Sequence, residues 1–155
     1  INANWHDQTT FEASIGSGWR LYDDASLPET QSLLYGFALG YNPDPTLRLR
    51  AALDTSIEPG AAGAVSSVDH TLSLEVSYRV NQLLGLRGTA SASLSEAQGT
   101  GATTRRYGAG LGANIAIGPH TDMTLDYGYG WREDPAAVPQ VLTEHRVSAG
   151  VTLQY

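Results

Sequence analysis

The stretch Arg146-Val147-Ser148-Ala149-Gly150-Val151-Thr152-Leu153-Gln154-Tyr155 closes the chain, and its reading decides the rest. Val147, Ala149, Val151, Leu153 and Tyr155 alternate with Arg146, Ser148, Gly150, Thr152 and Gln154, the period of a β-strand with two unlike faces. One face is apolar and ends on an aromatic ring. The other is small, polar or charged.

Outward from this stretch the same alternation recurs. It predicts eight strands, at about 10–21, 32–41, 46–57, 67–80, 83–95, 105–117, 122–132 and 143–155, with residues 1–9 as a lead-in. The second strand sets Leu33, Tyr35, Phe37, Leu39 and Tyr41 against Gly36, Ala38 and Gly40. The sixth sets Tyr107, Ala109, Leu111, Ala113, Ile115 and Ile117 against Arg106, Gly108, Gly110, Gly112 and Asn114. Asn42-Pro43-Asp44-Pro45 predicts a tight turn, because proline cannot continue a hydrogen-bonded ladder. The connections alternate long and short, with short turns at Asn42 to Pro45, Asn81 to Gln82 and Gly118 to Thr121.

Composition narrows the class. The 155 residues suffice for one domain of eight strands that cross a bilayer at a tilt, and no run of about 18 apolar residues offers a transmembrane helix. The net charge of -7 disfavours a nucleic-acid partner, whose phosphates want a positive face. Only 16% of residues are charged, against about 25% in soluble domains. Every basic residue is arginine, the side chain suited to fixed ion pairs. Cysteine is absent, which removes disulfides and thiolate metal sites. The expected fold class is therefore all-β, an antiparallel up-and-down transmembrane β-barrel of eight strands in the outer membrane of a Gram-negative bacterium, with both termini periplasmic.

The polar faces are the wrong kind for solvent. Glycines at Gly108, Gly110 and Gly112 would leave bare backbone on an exposed sheet, whereas facing a narrow lumen they make room for long side chains. Strand parity sends eight of the nine arginines to that face; the exception, Arg105, lies beside a loop. The predicted lumen network comprises Arg48, Arg50, Glu75, Arg79, Arg87, Asp126, Arg132, Glu144 and Arg146. Symmetric hairpins would set Glu75 level with Arg48, Arg50 and Arg87, and Arg132 opposite Glu144. In an eight-stranded barrel these pairs would fill the interior.

On the apolar face the aromatics sort by height into two membrane-interface girdles. Phe11, Tyr41, Tyr78 and Tyr155 fall at the periplasmic rim, and Trp19, Tyr35, Tyr107, Tyr129 and Trp131 at the outer rim.

Trp19, Tyr22, Asp23, Asp24 and Leu27-Pro28, then Val68-Asp69-His70, then Tyr127-x-Tyr129-x-Trp131-Arg132 followed by His145 to Gly150, form a pattern that spans most of the chain. With these residues the chain resembles the C-terminal half of a family of bacterial outer-membrane β-barrel porins. Such proteins look longer than 155 residues, which implies either a complete small barrel or the last strands of a larger one. The ending Gly150, Leu153 and Tyr155 resembles the C-terminal signal read by the barrel-assembly machinery. The implied partners are that machinery, outer-membrane lipid and lipopolysaccharide.

No catalytic residue, metal site or cofactor is expected. His145 lies between Glu144 and Ser148 in sequence, but parity puts it on the opposite face from both, so no relay forms. His70 has no better geometry, and no histidines and carboxylates fall at metal-ligand spacing. The acidic residues Asp23, Asp24, Glu29, Glu58, Glu96, Glu133 and Asp134 mark the longer loops and could meet a protein partner. Three functions follow, in this order. The first is a non-enzymatic structural or porin-like barrel with an interior filled by arginine and carboxylate. The second is the C-terminal part of a larger porin that passes solutes or exported polymer. The third is an outer-membrane lipid-modifying enzyme. A soluble lipocalin-like carrier is the fallback.

Overall fold

Two-faced strands joined by turns too short for a crossover can only pair with their chain neighbours. The computed structural model shows that outcome; it describes residues 2–5, 8–20, 30–59, 66–98, 101–135 and 137–153. The order is β1 (Asn2–Trp5), β2 (Thr9–Arg20), β3 (Thr30–Asp44), β4 (Leu47–Pro59), β5 (Ser66–Arg79), β6 (Leu84–Gln98), β7 (Thr103–Gly118), β8 (Thr121–Glu133) and β9 (Val141–Leu153). They form one antiparallel sheet in sequence order, β1 to β9. The eight long strands fall on the eight alternating segments. The lead-in is not irregular: Asn2–Trp5 pairs with Glu12–Thr9 as a short extra strand.

Two expectations need correction. The sheet does not close on itself as an eight-stranded barrel, because β1 and β9 stand at opposite edges of the strand order. The segment Asn42-Pro43-Asp44 also belongs to β3 rather than to the turn. A register shift between Tyr41 and Asp44 absorbs Pro43, so the ring sits where the ladder needs no N–H. The turn itself is capped by Asp44, whose carboxylate accepts hydrogen bonds from the Thr46 hydroxyl, the Thr46 amide and the Leu47 amide. The Thr46 hydroxyl foremost, and then its amide, holds this carboxyl below the ordinary aspartate value. At the other end of the sheet Gly101, at φ 67°, turns the β6–β7 connection through a conformation that other residues resist.

The ladder is sheared. The row through Tyr41, Leu49, Val76, Gly88, Leu111, Tyr127 and Val147 serves as reference. At the end with short turns, the hairpins close at Leu47, then Arg79/Gly85, then Gly118/Thr121, each farther below that row. At the other end the last pairs retreat in the same sense, from Pro59/Ser66 to Glu96/Thr103 to Glu133/Val141. The slip is about one residue per strand, which at ordinary strand spacing is a tilt of roughly 30–35°. That lies beside the tilt of about 35–45° found in membrane barrels.

The two faces differ as the alternation predicts. Ile15, Leu111 and Val147 on the apolar face are 78%, 69% and 79% exposed, and they stand in a continuous field of exposed leucines, valines and aromatics. In water each such aliphatic side chain forgoes roughly 1.5–3 kcal/mol of burial, and a patch of this size marks contact with something apolar. Only Ser66 and Val68 are buried among the described residues, so the sheet has no conventional core.

A candidate arginine-lined solute face

Recesses indent the sheet among the described residues, and polar-face residues line most of each. The polar face is therefore the concave one. One recess, about 510 Å³, lies at the short-turn end against Arg48, Glu75, Ser77, Arg79, Arg87 and Asn114. A second, about 280 Å³, continues it along Arg87, Gly110, Gly112, Asp126 and Arg146.

The charges on this face pair differently from the symmetric expectation. Glu75 does stand opposite Arg50 in register, yet the pair forms no ion bridge, and Arg48 and Arg79 form none either among the described residues. Arg87 reaches away from Glu75's strand and donates to Asp126 at 2.7 Å. These residues lie on β6 and β8, with Gly112 of β7 between them in the same ladder row. A Cβ at Gly112 would sit 2.5 Å from Asp126 Oδ1 and 3.3 Å from Arg87 Nη2, so the bridge passes over the bare glycine. Gly108 and Gly110 face the Ser91 and Thr89 hydroxyls in the same way, each hydroxyl 2.7 Å from where a Cβ would stand. Arg132 is not opposite Glu144 but opposite Leu142. It binds Asp134 instead, while Arg146 takes Glu144 along its own strand at 2.9 Å.

Arg87 and Asp126 are 49% and 38% exposed, so water screens their attraction. A double-mutant cycle of Arg87→Gln and Asp126→Asn in unfolding titrations will give a coupling below about 1 kcal/mol that shrinks with added salt. Gly112→Val will erase that coupling, because the new methyl groups occupy the path of the bridge.

The apolar face carries two histidines held by tyrosines. His145 Nδ1 lies 2.9 Å from the Tyr127 hydroxyl, and its ring packs 5.3 Å from Tyr129. His70 Nδ1 lies 3.2 Å from the Tyr35 hydroxyl and 3.1 Å from Thr55 Oγ1. Glu144 and Ser148 stay on the other face from His145, and no relay assembles. Among the described residues no three His, Asp or Glu side chains converge as metal ligands. Arg105, on the apolar face, pairs with Glu133 at 3.5 Å in the last row of the β7–β8 ladder. Of the acidic residues assigned to the loops, Glu133 thus pairs with Arg105 at the end of β8, and Asp134 just beyond it pairs with Arg132.

Of the predicted girdle residues, Tyr107 and Trp131 meet at 5.3 Å, and Tyr35 lies 6.2 Å from Phe37, which the girdles did not include. Phe11, Trp19, Tyr41 and Tyr78 are exposed on the apolar face. Phe11 shares a ladder row with Tyr129, although each was assigned to a different rim. The shear reconciles them, since one row climbs relative to the strand ends as it crosses the sheet. Gly150 and Leu153 lie on β9. Tyr155, the loop acids Asp23, Asp24 and Glu29, and the stretch Tyr22 to Pro28 lie outside the described residues.

The residues that nearest-neighbour reasoning missed are the partners across an intervening strand. A basic and an acidic residue flanking a glycine in one ladder row is the signal that would have found Arg87 and Asp126. A family model described as "Putative beta-barrel porin 2" aligns with residues 4–155. No curated protein and no solved structure matches the chain.

Proposed function

The chain belongs to the family described as putative beta-barrel porin 2, and from that premise we propose that it forms wall of a non-enzymatic outer-membrane pore for small anionic solutes. One observation carries the reading: a concave polar face on which Arg48, Arg50 and Arg79 stand without ion pairs among the described residues, backed by an apolar face left open to its surroundings. An unpaired guanidinium on a water-filled wall attracts anions and repels cations, the means by which charged rings set selectivity in pores. The sheared, open sheet supports a wider wall than an eight-stranded barrel, whose interior would be packed solid. Further strands, pairing at the free edges, complete it. Lipid and lipopolysaccharide contact the apolar face, and the assembly machinery reads the β9 ending at Gly150 and Leu153.

The test is a planar-bilayer recording of the purified full-length product under a potassium chloride gradient, with its native mass determined in parallel. Stepwise openings with a reversal potential on the chloride side are expected. A folded product that stays silent would sink the pore reading and leave a non-conducting envelope protein.

A further inference from the structure

The β3–β4 ladder ends early. It runs from Asp44/Leu47 up to Gly36/Asp54 and goes no farther, although β3 continues to Thr30 against β2 and β4 continues to Pro59 against β5. Above Gly36 the sheet is forked. The backbone groups of β3 and β4 that would face each other there have no ladder partner.

Aliphatic side chains line the fork. Leu34 is one of two large aliphatic residues that strand parity places on the otherwise polar face, the other being Leu142. Ile57 has the parity of the apolar face. Yet a Cβ built on Gly18 of β2 would lie 2.9 Å from the Cδ1 atoms of both Leu34 and Ile57. Residues of opposite parity converge on one point only if the two halves of the sheet have rotated apart. Val68, paired with Ile57, is one of the two buried residues beside them. At the crotch, the Tyr35 and Thr55 hydroxyls meet on His70 Nδ1, tying β3, β4 and β5 where the backbone bonds stop. On the polar face of β5, next to Val68 and opposite Ser56 of β4, Asp69 Oδ1 is buried with no hydrogen-bond donor among the described residues.

These features make opposite demands on an occupant. Unpaired backbone groups and a donor-less carboxylate oxygen need hydrogen bonds, and bare hydrocarbon cannot supply them. Leu34 and Ile57, each half-buried, favour an apolar neighbour, which a sugar or a simple anion is not. An amphiphile with a donor-bearing head and an aliphatic tail meets both.

We propose that the fork is a lateral opening in the wall, into which a membrane lipid with a donor-bearing head inserts its acyl chain between β3 and β4. The inference rests on the reading of this sheet as a membrane wall, and the test separates the two. Because the chain has no cysteine, single substitutions Leu34→Cys, Leu72→Cys and Ser73→Cys can carry a bimane fluorophore in the full-length protein. The labelled proteins are folded into vesicles containing phosphatidylethanolamine with a doxyl quencher on its chain. Leu72 faces the apolar side and Ser73 the polar side of β5. The label at position 34 will be quenched nearly as strongly as that at 72 and at least about twofold more than that at 73, since lipid-facing and lumen-facing residues alternate along a barrel strand. Ile57→Ala, which widens the fork, will increase quenching at 34 further. Quenching at 34 no greater than at 73, with 72 strongly quenched, would overturn the opening while leaving the wall intact. Equal quenching at 72 and 73 would mean that the wall reading itself has failed, and the opening with it.

Discussion

Replacing Arg48, Arg50 and Arg79 together with glutamine will convert an anion-preferring conductance into a cation-preferring one. Arg48 and Arg50 occupy successive polar-face positions of β4, and Arg79 lies at the foot of β5 beside them. Arg48 and Arg79 line the 510 Å³ recess, where Glu75 also stands. Among the described residues none of the three arginines is neutralised by an ion pair, whereas Arg87 is held by Asp126. Glutamine keeps most of the length and the hydrogen bonding but removes the charge, so the field at the short-turn mouth passes to Glu75 and Asp44. The chloride-to-potassium permeability ratio should fall by at least about threefold at low salt and converge on that of the parent as ionic strength rises and the Debye length shortens. Reversal potentials in graded potassium chloride measure it directly. An unchanged ratio in a conducting protein would show that these side chains do not face the ion path.

The second large effect is one of stability. Leu74 sits near the middle of β5 on the apolar face, between Ala51 and Ala90 of the neighbouring strands, and is 45% exposed. Leu74→Arg will cost about 2–4 kcal/mol in urea titrations of the protein folded into lipid vesicles, the penalty of a cation near the bilayer midplane. Ser73→Arg, one residue earlier and on the concave face, should cost well under about 1 kcal/mol, as an exposed substitution does. Adjacent positions thus separate by severalfold. A sheet with both faces in water would predict small and similar penalties at the two positions, since Leu74 would then already face solvent. Equal penalties at 73 and 74 would contradict the assignment of faces.

Much of this architecture was legible in the chain because one physical rule acted on every strand. Alternation of apolar and small polar residues fixes both the extended conformation and the facing of each side chain, and short turns then leave only neighbour pairing. That reasoning placed the eight long strands and sent the arginines to one face. It did not reach what depends on register between non-adjacent strands. The Arg87–Asp126 bridge requires that Gly112 fall in the same row, and row membership follows from turn geometry rather than from any single segment. The Pro43 region was misjudged because a register shift lets a strand carry proline, an option invisible in the alternation itself. The short β1 strand offers only four residues, too few for a period to declare itself. The fork did leave a trace: Leu33-Leu34 is a break in the alternation of the second strand, with an aliphatic residue where every other polar-face position of that strand is small.

The strictly sequential pairing of β1 through β9 has an evolutionary consequence. No strand depends on a partner from a distant part of the chain, and each long strand carries its share of the stagger. A hairpin is therefore a self-contained increment of wall, which can be duplicated or lost without redrawing any crossover. Because barrel diameter grows roughly in proportion to strand number, a lineage built this way can change the bore of its pores by copying pairs of strands, and small and large relatives can share the same closing segment.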